Sequence, residues 1–153
     1  MSGIHKCTLV PARFFDEGDA RCILSDLYAL TESETVATLE VPRYDAVFIY
    51  ASEDGKAPVL YDLVNGLERC DGYNKILFHY GAGCLDLAIA QGERLLLANS
   101  FPAADFTTAE YYLFLAVKSL QINPEVSSVT VASELTPEEE MSLYRYFKSV
   151  ERL

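Results

Sequence analysis

Short apolar runs and helical repeats alternate along the first half of the chain. Asp16 is placed to cap a helix that runs to about Leu30. After Pro58, apolar residues recur at helical spacing and predict a second helix that ends near residues 70–72. Three apolar runs of strand length predict strands at residues 6–10, 36–41 and 45–51.

Three further apolar runs follow in close succession and open the second half. They cover residues 75–80, 84–90 and 94–101. Only Gly81-Ala82-Gly83 and Gln91-Gly92-Glu93 separate them. Connections this short join antiparallel neighbours, because parallel strands need a long crossover. The pattern therefore predicts a three-stranded antiparallel meander.

An αβα pattern follows the meander. Thr107 and Glu110 have the spacing of a capping box, ahead of a helix so apolar that we expect it to be buried on more than one side. Residues 128–133 predict a strand. Thr136 and Glu139 form a second capping box, which predicts a last helix that runs to the chain end.

This order of elements predicts an α/β fold with two lobes. We expect an N-terminal α/β lobe at residues 1–72 and a βββαβα lobe at residues 73–153. Half of the 153 residues are hydrophobic and 12% are aromatic, so a packed core is expected.

The chain is strongly acidic, with 23 Asp and Glu against 12 Lys and Arg and a net charge of -11. Such a surface repels phosphate backbones, so we expect no nucleic-acid partner. No run reaches the roughly 20 apolar residues that span a bilayer, and the opening residues do not resemble a signal peptide, so we expect a cytoplasmic protein without membrane insertion. Four widely spaced cysteines predict buried free thiols. His5 and His79 are too far apart in sequence to predict a metal site.

The turn between the first two strands of the meander is the main candidate for chemistry. The window from His79 to Asp86 reads HYGAGCLD. It resembles a phosphate-binding hairpin of the actin, heat-shock chaperone and sugar-kinase superfamily, which reads Asp-x-Gly-x-Gly-x-x-Asp. The resemblance implies a phosphate-binding turn with His79 at the position of the lost catalytic Asp. The matching residues of that turn are Gly81, Ala82, Gly83, Cys84 and Asp86.

Longer segments extend the resemblance over most of the chain. CTLVPARFF, LLLANSF, AEYYLFLAV and MSLYRYF occur here in the order seen in a bacterial family of unknown function. That family is similar to the pilus-assembly ATPase-like protein PilM. The resemblance implies a ribonuclease-H-like, actin-like ATPase fold. It also implies a shortened, incomplete chain, because the superfamily's first phosphate hairpin would lie in a missing N-terminal segment.

Two interpretations of the glycine turn remain open. Its backbone N–H groups either cradle a phosphate or form a hairpin with positive φ, and we favour the hairpin. In the hairpin interpretation Asp86 lies on the solvent side of its strand. A nucleophile pair of His79 and Cys84 is disfavoured, because no further cation is near to support a thiolate.

Three functions follow from these observations. The first is a non-catalytic, degenerate actin-like protein that serves as a binding or assembly module, and its many Tyr and Phe residues favour a protein partner or self-association. The second is an ATPase that binds ATP and Mg²⁺, although His79 offers a nitrogen where Mg²⁺ prefers oxygen. The third is a ribonuclease-H-like nuclease built on Asp86, Asp105 and Glu110.

Overall fold

A computed structural model describes residues 6–153, so His5 lies outside the described residues. The described residues form eight strands and four helices, joined by short 3₁₀ turns. In chain order they are β1 (Cys7–Pro11), α1 (Ala20–Leu27), β2 (Thr35–Val41), β3 (Ala46–Ser52), α2 (Val59–Gly66), β4 (Asn74–Gly81), β5 (Cys84–Gln91), β6 (Arg94–Pro102), α3 (Phe106–Ser119), β7 (Ser128–Val131), α4 (Pro137–Tyr144) and β8 (Ser149–Arg152).

The strands form two sheets. The smaller is antiparallel, with the order β1-β3-β2. The larger has the order β6-β5-β4-β7-β8. Its β4, β5 and β6 form the predicted antiparallel meander, while β7 and β8 run parallel to β4. The mixed sheet is therefore a meander extended by two crossover strands.

Both faces of the five-stranded sheet are buried. Leu85, Leu87 and Ile89 of β5 point to one face, where they pack under α3 and α4. Ala88 and Ala90 point to the other face, which α2 and the three-stranded sheet cover. Because successive side chains of a strand alternate between faces, β5 is buried along almost its whole length.

The predicted strands and the helix after Pro58 are confirmed, but the first helix is shorter than expected. Asp16 caps a 3₁₀ turn at Glu17–Asp19, accepting a hydrogen bond from the N–H of Gly18. The α-helix that follows ends at Leu27 rather than Leu30. Tyr28 is already extended, and its hydroxyl donates to the carbonyl of Cys7. This hydrogen bond ties the chain to β1 and draws it out of the helix.

The third helix begins earlier than predicted, so the proposed capping box is wrong. Asp105 is its N-cap and accepts a hydrogen bond of 2.8 Å from the N–H of Thr108. Thr107 lies inside the helix, and Glu110 instead accepts from the hydroxyl of Ser142. The helix is also not buried on more than one side, because its buried residues Ala109, Leu113, Ala116 and Val117 form one stripe and Tyr111 is 59% exposed.

The last helix does not run to the chain end. The capping box of Thr136 and Glu139 is confirmed, but the helix stops at Tyr144. The chain then turns and pairs as β8 with β7. The N–H of Lys148 donates to the carbonyls of Pro124 and Ser127, which fixes this turn.

The lobe division predicted at residue 72 stays a prediction. One group of buried residues includes side chains from both sides of it, such as Phe48 and Leu77. No helix within residues 6–153 is long and apolar enough to cross a membrane.

Candidate functional site

The glycine turn is a two-residue hairpin turn. Gly81 and Cys84 face each other at the end of the β4–β5 ladder. Between them, Ala82 has φ of 52° and Gly83 has φ of 73°. Positive φ at both central residues is the mark of a type I′ turn, which matches the twist of the flanking strands. The expected positive-φ hairpin is therefore confirmed, with the left-handed pair at residues 82 and 83.

A row of polar side chains crosses the sheet next to this turn. His79 of β4 is the cross-strand partner of Asp86 of β5, and Asp86 is the partner of Ser100 of β6. The Ser100 hydroxyl donates to Asp86 Oδ1 over 2.5 Å. His79 Nδ1 lies 4.0 Å from Asp86 Oδ2. We call these three residues the polar row.

The polar row lies on the face that the three-stranded sheet covers. Asp86 has the same strand parity as Ala88 and Ala90, which belong to the core on that side. Asp86 is 2% exposed, so the expectation that it faces solvent is wrong. Hydrogen bonding makes this burial tolerable, because a buried carboxylate without partners is very costly. His79 is the solvent-exposed end of the polar row, and its side chain is 32% exposed.

The arrangement differs from a Ser-His-Asp triad in a decisive way. A triad needs the histidine in the centre, so that its imidazole takes the serine proton. Here Asp86 is in the centre: it accepts a hydrogen bond from Ser100, and its Oδ2 lies 4.0 Å from His79 Nδ1, which has no hydrogen-bond partner among the described residues. The Ser100 hydroxyl is therefore bonded to a carboxylate, a weak base, and is not activated as a nucleophile.

The thiol beside the row is equally unsuited to nucleophilic chemistry. Cys84 Sγ lies 3.9 Å from Asp86 Oδ1. Burial, together with the negative charge of Asp86, raises the pKa of Cys84 to about 11. The reactive form of a cysteine is the thiolate, so this group is protonated at neutral pH. A nucleophile pair of His79 and Cys84 is not supported.

The polar row does not fit Mg²⁺. That ion prefers oxygen ligands in octahedral geometry and usually keeps several waters. The row offers one imidazole nitrogen and one carboxylate that is buried and already bonded to Ser100. Within residues 6–153, His, Cys, Asp and Glu side chains nowhere gather in threes in a way that could hold a metal ion.

The three carboxylates of the nuclease hypothesis have separate structural roles. Asp86 lies between the sheets, Asp105 caps α3, and Glu110 accepts from Ser142 of α4. Hydrogen bonding from Thr108 lowers the pKa of Asp105, whereas burial raises the pKa of Glu110. The structure does not bring the three together.

Five cavities on the described residues lie away from the glycine turn. They have volumes of about 180 to 500 Å³ and no residue of the range 79–86 in their walls. The largest of these five, about 500 Å³, lies beside the C-terminal half of α3 and has mainly apolar walls.

A comparison with models of protein families identifies the family of this chain. The model of a family described as protein of unknown function (DUF3822) matches residues 57–150. The chain belongs to the DUF3822 family. The predicted resemblance to a family of unknown function is thereby confirmed, and no curated protein matches the chain in sequence.

A solved structure agrees with the fold of this DUF3822 chain. It is a protein of Bacteroides thetaiotaomicron, described as having an actin-like ATPase fold and unknown function, and it is 20% identical with a TM-score of 0.78. The match covers 97% of this chain and 65% of that one, so this chain spans about two thirds of its length. The predicted actin-like ATPase fold is confirmed.

Sequence reasoning located two of the three residues of the polar row and missed Ser100. A signal existed, because Ser100 is a polar residue inside the apolar run LLLANSF. The short turns fix the pairing of the meander, so that run could have been aligned with Asp86.

Proposed function

We propose that this chain is a non-catalytic actin-like protein that serves as a binding or assembly module and does not turn over ATP. The position of Asp86 carries this proposal. Its carboxylate lies between the two sheets, 2% exposed, and accepts a hydrogen bond from Ser100. Phosphoryl transfer depends on acidic groups that organise the metal and the water. A buried carboxylate next to an imidazole is poorly placed for that task.

The exposed apolar surface supports the binding part of the proposal. Among the described residues ten large hydrophobic side chains are exposed, and six of them lie between residues 111 and 146. Exposed Tyr, Leu and Met side chains are more frequent at protein interaction surfaces than elsewhere on a protein's exterior. Partners, self-association and a cytoplasmic location all belong to the proposal, and four free cysteines support a reducing compartment.

A comparison of wild type with Asp86→Asn tests the non-catalytic part. Asn is nearly isosteric and still accepts a hydrogen bond from Ser100, so the fold is expected to survive. We expect phosphate release from ATP to stay at the buffer level in both proteins, with Mg²⁺ or with EDTA. Thermal melting verifies that both are folded.

Mg²⁺-dependent release of phosphate that Asp86→Asn abolishes would overturn the proposal. Titration calorimetry with ATP distinguishes a protein that binds ATP without hydrolysing it from one that does not bind ATP. Heat of binding without turnover would identify a nucleotide-binding protein and replace the proposed function with the ATP-binding one.

A further inference from the structure

A groove lies beside the C-terminal half of α3. It has a volume of about 500 Å³. Its apolar walls come from the end of α3, the loop that follows, and the segment after α4. These walls are formed by Phe114, Val117, Ile122, Pro124 and Tyr146.

An exposed apolar stripe on α3 continues from the groove. Tyr111 and Leu115 are 59% and 48% exposed, and both lie within one helical turn of Phe114 in the groove wall. The rings of Phe114 and Tyr146 pack with their centroids 4.4 Å apart. The stripe and the groove therefore form one apolar surface that spans at least two turns of the helix.

Two lysines lie at the groove although the chain as a whole has a net charge of -11. Lys118 lines the groove, and the N–H of Lys148 donates to the carbonyl of Pro124 in the wall. Both residues are exposed, and neither forms an ion pair with a described residue. One exposed acid, Glu125, follows Pro124 in the chain.

We propose that this groove binds an acidic amphipathic helix of a partner protein. Apolar residues at helical spacing would fill the groove and cover the stripe, and Asp or Glu beside them would meet Lys118 and Lys148. A helix suits the surface better than an added strand, because the walls are side chains of helix and loop rather than an open sheet edge. The inference rests on the proposed binding function and names the partner's chemistry.

A second copy of this chain is a weaker candidate for the groove. Its most acidic helix is α4, which begins with Glu138, Glu139 and Glu140. Two of these are already engaged, since Glu139 closes the capping box and Glu140 pairs with Arg152 over 3.4 Å. Of the three acids, only Glu138 has no such contact with a described residue, and it lies on one side of the exposed Met141.

Peptide display on the full chain tests the inference. A phage library of random 16-residue peptides is selected on wild type and on the variant Lys118→Glu/Lys148→Glu. A matched control, Lys56→Glu/Arg94→Glu, makes the same change of charge at exposed residues away from the groove. Enriched peptides are then synthesised, and their Kd is measured by fluorescence anisotropy at two salt concentrations.

We expect the enriched peptides to combine Asp or Glu with apolar residues at helical spacing. The groove variant should weaken their binding by about tenfold or more, since two favourable charge pairs become repulsive. The control variant should change it by less than about threefold. Tyr146→Ala should weaken binding as well, because it removes one apolar wall of the groove.

Several results would overturn the inference. They are enrichment of basic or uncharged peptides, equal binding to wild type and the groove variant, or no enrichment at all. Sedimentation velocity tests a further case. If wild type self-associates and the groove variant is monomeric, the groove binds a second copy of this chain. All of these leave the proposed lack of ATP turnover intact, so the two proposals fail separately.

Discussion

At the scale of single residues, Ala82 stands out because it adopts a conformation that its side chain disfavours. Its φ of 52° lies in the left-handed region, where a residue with a Cβ atom is strained by about 1 kcal/mol. The type I′ turn needs this conformation at both central positions, and Asn followed by Gly is the preferred pair. The present pair is Ala82 and Gly83, so one of the two positions is suboptimal.

Ala82→Asn should therefore stabilise the protein. We expect the free energy of unfolding to rise by about 0.5–1 kcal/mol, because Asn tolerates the left-handed region better than Ala. Urea denaturation measures it. Ala57→Asn, at another exposed alanine without positive φ, is the control and should change the free energy little. A loss of stability in Ala82→Asn would mean that the turn is not of type I′.

At the scale of elements, the start of α3 allows a comparison between Asp105, which is its N-cap, and Thr107, which was predicted to be. Asp105→Ala removes the side chain that accepts from the N–H of Thr108, whereas Thr107→Ala changes a residue inside the helix. We expect Asp105→Ala to lower the Tm by roughly 2–4 °C and Thr107→Ala to lower it much less.

At acid pH the difference in Tm between Asp105→Ala and Thr107→Ala should disappear. Hydrogen bonding lowers the pKa of Asp105, so its stabilising contribution is present above its ordinary pKa of 3.8 and is lost as the pH falls through the lower value in the folded state. Calorimetry at pH 7 and near pH 3 measures both effects. If Thr107→Ala proved the more damaging change, the capping box predicted from sequence would be reinstated.

The last strand gives a second prediction at this scale. Val150 of β8 is 7% exposed and packs in the core beneath α3 and α4, while its neighbour Glu151 is exposed. Val150→Ala should lower the free energy of unfolding by about 1.5–3 kcal/mol, since it deletes buried methyl groups and leaves a cavity. Glu151→Ala is the control and should have little effect in the same urea titration. Equal, small effects would show that β8 is not packed on the sheet.

Local patterns predicted the strands of the meander but not the elements that depend on distant contacts. Met141, Tyr144, Phe147 and Val150 recur every three residues, which fits a helix, yet the last two pack from a turn and a strand. The parallel partner of that strand is β7, and such pairing leaves no local mark in the sequence. The candidate site shows the same limit. The short turn is enough to place His79 opposite Asp86, although this pairing was not predicted, and the burial of Asp86 depends on the three-stranded sheet.

At the scale of the whole molecule, the covering of one sheet by another explains the chemistry of the candidate site. The face that carries the polar row would be open to water if the five-stranded sheet stood alone. Covered by α2 and the three-stranded sheet, it holds the Asp86 carboxylate and the Cys7 and Cys84 thiols in a buried environment. Burial, with Asp86 as a further cause, raises the pKa of Cys7 to about 12 and that of Cys84 to about 11.

These two pKa values predict that the fold loses stability in alkaline solution. An unfolded chain ionises its thiols near their ordinary pKa of 9.0, whereas the folded chain keeps them protonated until pH 11 or 12. Above pH 9 the folded state therefore binds more protons than the unfolded state, and the free energy of unfolding falls as the pH rises. Each thiol contributes a slope of up to roughly 1.4 kcal/mol per pH unit in this window.

Cys84→Ala isolates the contribution of one thiol. Burial also raises the pKa of Tyr28, Tyr44 and Tyr80, so the slope of wild type contains several groups and only a difference between proteins is informative. In urea titrations from pH 8 to pH 10.5, Cys84→Ala should start less stable than wild type and lose less stability as the pH rises. Cys22→Ala, the same replacement at an exposed cysteine outside this buried face, is the matched control protein. Identical slopes for wild type and Cys84→Ala would mean that the thiol ionises in the folded state, and that the sheets do not exclude water from the face that holds Asp86.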